Sequence, residues 1–100
     1  MTRIPRVLSI AGTDPTGGAG AQADLKAIAA AGGFGMNVIT ALVAQNTQGV
    51  REIHTPPQAF LHAQLDAVFD DVQVDSVKIG MLGDVATTRT VSEYLAAHPV

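Results

Sequence analysis

The chain has 100 residues, of which 47% are hydrophobic and 4% aromatic, and its six basic and nine acidic side chains sum to a formal charge of −3. That length supports one compact domain at most, and the apolar share excludes a disordered chain. Two lysines and a mildly acidic balance argue against a nucleic-acid partner, and the absence of cysteine removes disulfide scaffolds and Cys-based zinc sites.

The N-terminal Arg3 and Arg6 precede a short apolar run, Val7 to Ala11. Asp14 and Pro15 follow too soon for a secretory leader, so the run reads as a first strand. Gly12 to Gly18 is a turn-rich loop. Ala19 to Ala31 reads as a helix, with Leu25, Ile28 and Ala29 at helical spacing and Gly32-Gly33 as its stop. Met36 to Ala44 is almost continuously apolar, the pattern of one strand covered on both faces in a parallel sheet. Val50 to His54 is a candidate edge strand. Thr55-Pro56-Pro57 opens a second helix whose buried stripe is Leu61, Leu65, Val68, Phe69 and Val72. The third main strand lies in Asp75 to Leu82, and Asp84 caps a last helix with Val91 and Leu95 inward. No apolar stretch approaches the ~20 residues of a membrane span. A cytoplasmic protein is expected.

This β-α-β-(β)-α-β-α order implies an α/β fold with parallel strands and right-handed helical crossovers. Pro99-Val100 reads as the exit from a helix toward a further strand, so the chain is expected to be the N-terminal part of something longer. Ligands in open α/β sheets bind outside the carboxyl ends of the strands. Three such ends are GTDPTGGAG, Gln45-Asn46-Thr47 and Met81-Leu82-Gly83, of which the first and second are rich in polar groups and glycine.

The glycine-rich loop fails both common phosphate motifs. Gly12 and Gly17 have the P-loop spacing, but Gly18 and Ala19 stand where Lys and Ser or Thr belong. The dinucleotide pattern fails at Ala23, where a third glycine belongs. The loop is then either a tight strand-to-helix turn or a generic anion cradle. Asp24 is either a macrodipole contact or an acceptor for a ligand hydroxyl or amine. Gln45 and Asn46 either form a turn or read the edge of a heterocycle. Lys78 pairs with an acid or snorkels at a sheet edge. His54, His62 and His98 are dispersed and lack metal-ligand spacing, and Asp70-Asp71 reads as a solvated pair beside a helix end. No Ser–His–Asp set is visible.

The segments GTDPTGGAGAQADLK, VITALVAQNTQGV and VKIGML resemble, in register over essentially the whole chain, the hydroxymethylpyrimidine/phosphomethylpyrimidine kinases of thiamine biosynthesis. The resemblance implies a ribokinase-like three-layer α/β/α fold with a mostly parallel sheet. It implies ATP-dependent phosphorylation of 4-amino-5-hydroxymethyl-2-methylpyrimidine and its monophosphate, with Mg2+ as the metal. Gln45 would hydrogen-bond the pyrimidine, Asp24, Gly12 and Val43 would line the same pocket, and Met81 would pack on the ring. Residues 1–100 would supply the substrate-binding part of a single kinase domain. The family's Gly-Thr-Gly anion hole, catalytic residue and most of its ATP site would lie beyond Val100, leaving no catalytic residue in this chain and the isolated chain inactive. A homodimer is implied for the full-length protein. The competing readings are a pyridoxine/pyridoxal kinase and a non-catalytic pyrimidine-binding module.

Overall fold

A computed structural model describes residues 3–100 of the chain. Eight elements follow in order: β1 (Arg6–Ala11), α1 (Gly20–Ala30), β2 (Phe34–Ile39), β3 (Leu42–Asn46), β4 (Gly49–His54), α2 (Gln58–Phe69), β5 (Ser76–Ile79) and α3 (Val85–Ala97). Strands β2, β1 and β5 form a parallel sheet in that spatial order, while β3 and β4 form a separate antiparallel hairpin.

Alternation along β1 sorts the two faces of the sheet. Leu8 and Ile10, with Val38 of β2, pack against Leu61 and Leu65 of α2 and Val91 and Tyr94 of α3. All seven are buried, and burial on this scale is the main force holding the layers together. Tyr94 sits at the rim of this cluster and donates its hydroxyl to Asp66 Oδ1 at 2.8 Å. Burial, reinforced by that carboxylate, pushes its phenol up to about 12. The opposite face meets α1. A Cβ on Gly35 of β2 would come within 2.8 Å of Leu25 Cδ2, so α1 packs closely over the strand at this position.

Local signals place two of the helix ends. Asp84 caps α3, its carboxylate accepting from Thr87 N at 2.7 Å, and this hydrogen bond holds the Asp84 carboxyl below its usual range. α1 stops where Gly32 turns left-handed, with φ of +89°. Asp70 and Asp71 are exposed at the end of α2.

Five expectations are corrected. Met36 to Ala44 is not one strand: β2 ends at Ile39 and β3 begins at Leu42. The break is made by hydrogen bonds from outside the run. Thr40 N donates to Ala11 O, Thr13 N to Ala41 O, and Val43 N to Thr13 Oγ1. The segment from Val50 to His54 is no edge of the main sheet but the partner of β3, with Val43 opposite Ile53 and a bulge between Ala44 and Gln45. Val72 falls beyond the end of α2 and outside the core, because the helix stops at Phe69. Ala29 is exposed on the outer side of α1. The third strand ends at Ile79; Gly80 still donates to Ile10 O, but Met81 and Leu82 have left the sheet.

Candidate functional site

The carboxyl ends of the parallel strands meet in one place. Gly12 follows β1, Thr40-Ala41 follow β2, and Met81 to Asp84 follow β5. Together with Val43, Ile53 and Thr55 they line a cleft of about 110 Å³. Complete small-molecule sites run to ~300–1,000 Å³. A cleft of this size is on the scale of a small ring.

Hydrogen bonds tie the three ends together. Thr40 is 2% exposed and donates its hydroxyl to Met81 O at 3.2 Å, fixing the β5 end against the β2 end. Thr13 holds the hairpin through Val43 N. Gly20 opens α1 with φ of +62°, and a Cβ there would stand 2.5 Å from Gly12 O. Only glycine permits that approach, which lets Ala21 N donate to Gly12 O at 2.8 Å.

The glycine-rich loop is organised from within. The Asp14 carboxylate accepts from the backbone and hydroxyl of Thr16 and from Gly18 N. The Thr16 hydrogen bonds hold its carboxyl below the usual range. Lys26 reaches back to Gly17 O at 3.0 Å. The loop is therefore a self-satisfied turn, and the Lys26 ammonium is spent on the loop backbone.

Of the five expected substrate-binding residues, the cleft brings together Gly12, Val43 and Met81. Asp24 and Gln45 do not line it. Gln45-Asn46-Thr47 lie at the hairpin tip and not at the carboxyl end of a parallel strand, because the chain leaves the sheet at Thr40. Gln45 is half-buried beyond the bulge, and among the described residues its amide has no hydrogen-bond partner. Asp24 stands on the α1 side of the sheet. Its Oδ2 accepts from Ser9 Oγ at 2.6 Å, and Lys78 Nζ lies 3.0 Å from Oδ1 and 2.9 Å from Oδ2. Burial opposes ionisation of this carboxyl, but the Ser9 hydrogen bond and the Lys78 charge outweigh it and hold Asp24 below the usual carboxylate range. An ionised carboxylate offers about four acceptor positions. Three are filled here, and one remains on Oδ1.

Sequence reasoning missed Thr40, Ala41, Ile53, Thr55 and Asp84 as cleft residues, whereas Leu82 and Gly83 lie in the third strand end it had named. The alternation of β4 could have flagged Ile53, but only once its pairing with β3 was known. Among the described residues no three His, Cys, Asp or Glu gather as metal ligands. No helix of the described residues is long and apolar enough to cross a membrane.

The profile of the phosphomethylpyrimidine kinase family matches residues 14–100. This chain belongs to that family. A hydroxymethylpyrimidine/phosphomethylpyrimidine kinase of Salmonella typhimurium is 54% identical over all 100 residues, which cover 37% of that protein. The thiamine biosynthesis multifunctional protein ThiED of Corynebacterium efficiens is 70% identical over 95 residues, covering 95% of this chain and 13% of that one. Among solved structures, a phosphomethylpyrimidine kinase from Clostridium difficile superposes with a TM-score of 0.89 at 43% identity, over 93% of this chain and 40% of that one. A Staphylococcus aureus pyridoxal kinase solved with AMP-PCP and pyridoxal gives 0.85 at 31% identity, over 96% and 36%. The fold is thus the ribokinase-like α/β fold that the family resemblance implied. The chain spans well under half the length of each of these relatives.

Proposed function

We propose that residues 1–100 form the acceptor-binding part of a hydroxymethylpyrimidine/phosphomethylpyrimidine kinase. Its acceptors would be 4-amino-5-hydroxymethyl-2-methylpyrimidine and its monophosphate, in thiamine biosynthesis. The observation that carries this reading is the ring-sized cleft at the strand ends, walled by Gly12, Val43 and Met81. It occurs in a chain 54% identical over its full length to a kinase of that name.

The pyrimidine is flat, uncharged and polar at its edge. Apolar walls from Val43 and Met81 suit its faces, and a free amide such as that of Gln45 suits its edge, since it donates and accepts at once. The remaining acceptor position on Asp24 Oδ1 suits the hydroxymethyl proton. Both polar residues stand outside the cleft lining, so the reading requires the ring to extend toward the hairpin tip on one side and α1 on the other. What these residues supply is binding and orientation of the acceptor, a large share of the work in phosphoryl transfer. ATP and Mg2+ would be held by residues outside this chain, in a homodimeric, cytoplasmic whole protein.

Incubating the intact protein with ATP, Mg2+ and either the pyrimidine alcohol or pyridoxal tests the reading by the monophosphates formed. A higher kcat/KM for the pyrimidine is expected, and a clear preference for pyridoxal would reverse it. The isolated 100 residues are expected to turn over neither.

A further inference from the structure

Strand β4 is exposed along all six of its residues, and among the described residues it pairs only with β3. Its side chains nonetheless alternate between two different surroundings. Ile53 pairs with Val43, and both face the cleft together with Gly12, Thr55 and Met81. His54 pairs with Leu42 and Glu52 with Ala44, and these four line a second groove with Thr13 and Pro15. Val43 borders both the groove and the cleft, whereas Ile53 lines the cleft alone. Ile53 is 59% exposed and Met81 is 73% exposed. Two large apolar side chains from different elements therefore border one small cavity while much of their surface meets water. Neither contributes to the buried core. Apolar area held this way gains free energy when a flat apolar face displaces the water between.

We propose that Ile53 is a substrate-contacting, specificity-determining residue: with Val43 it forms the hairpin-side wall of the ring slot, opposite Met81. The proposal rests on the pyrimidine-acceptor reading and adds to it a residue and a selectivity. The pyrimidine alcohol carries three ring substituents, whereas pyridoxal carries four. A β-branched side chain at position 53 limits the width of a cleft of about 110 Å³ and so disfavours the more substituted ring.

The test compares Ile53→Ala, Ile53→Val and Leu42→Ala in the intact protein, with both alcohols as substrates. Leu42 is the internal control, since it lies on the same hairpin and is 55% exposed but lines the other groove. Ile53→Ala is expected to raise KM for the pyrimidine alcohol about tenfold with kcat little changed, and to raise the pyridoxal-to-pyrimidine ratio of kcat/KM. Ile53→Val, which keeps the β-branch, is expected to give a smaller shift in the same direction. Leu42→Ala is expected to match wild type in both. If wild type turns over the pyrimidine alcohol and the Ile53 variants match Leu42→Ala in KM and in selectivity, the role of Ile53 is overturned while the kinase reading stands. If wild type is inert toward the alcohol, both fall.

Discussion

Strands β1 and β4 are each six residues long, yet they bury opposite amounts of side chain. β1 has four buried positions and two partly buried ones, with a parallel partner on each edge. β4 is exposed throughout and has one partner. The first is scaffold: it carries core residues on one face and Ser9, beneath Asp24, on the other. The second is cover, held over the strand ends by β3 and by the hydrogen bond from Val43 N to Thr13. The candidate cleft lies where the two regions meet. Elements with few buried contacts open at low free energy, and ligand-binding segments are commonly drawn from them. A loss in the sheet should therefore appear as stability, and a loss in the hairpin as recognition.

The largest effect expected is in the sheet layer. Leu65 is fully buried against β1 and β2. Leu65→Ala should cost about 2–5 kcal/mol of unfolding free energy, measured by denaturant titration. A loss equal to that of an exposed hairpin substitution would erase the distinction between the regions. Next comes Gln45→Ala in the hairpin. Leaving the polar edge of the ring unpaired should weaken recognition of the pyrimidine by about 1–3 kcal/mol, seen in kcat/KM with the melting temperature unmoved. Unchanged kinetics would remove Gln45 from the site.

The smallest effect sharpens the comparison at Asp24, whose carboxyl is held below its usual range. A depressed folded-state pKa means that the unfolded chain binds the proton more readily. The stabilisation is present above the unfolded value of ~3.9 and is lost as pH falls through the folded value. Between pH 5 and pH 3, wild type should lose more melting temperature than Asp24→Asn. Parallel curves for the two proteins would mean that the Ser9 and Lys78 contacts add no pH-dependent stability.

Much of the fold was legible because its signals are local. The apolar run of β1, the Gly32-Gly33 stop and the Asp84 cap each act over a few residues, and each appears where local chemistry put it. The alternation of strands and helices sufficed for a parallel α/β sheet. Lys78 was legible only as an alternative between pairing and snorkelling, because its partner Asp24 lies 54 residues away. Val43 was named only through family resemblance, whereas Gly12 and Met81 also lay in the strand ends named from the element pattern, and the fold brought all three to one cleft. The joint at Thr40-Ala41 was not legible. Apolar periodicity reports burial and not the identity of the neighbour, and this break depends on Ala11 and Thr13.

The sequence by itself determined the alternation of the main-sheet strands with helices, the Gly32 stop and the Asp84 cap, and membership of a kinase family, since these depend on residues near one another or on long motifs. Only the tertiary structure decided that the second apolar run splits, that its second half becomes a hairpin over the strand ends, and that Ile53 faces the cleft while Leu42 faces away. Those outcomes depend on hydrogen bonds and strand register between distant segments. A shift of one residue in that register would have turned every side chain of the hairpin to the opposite face.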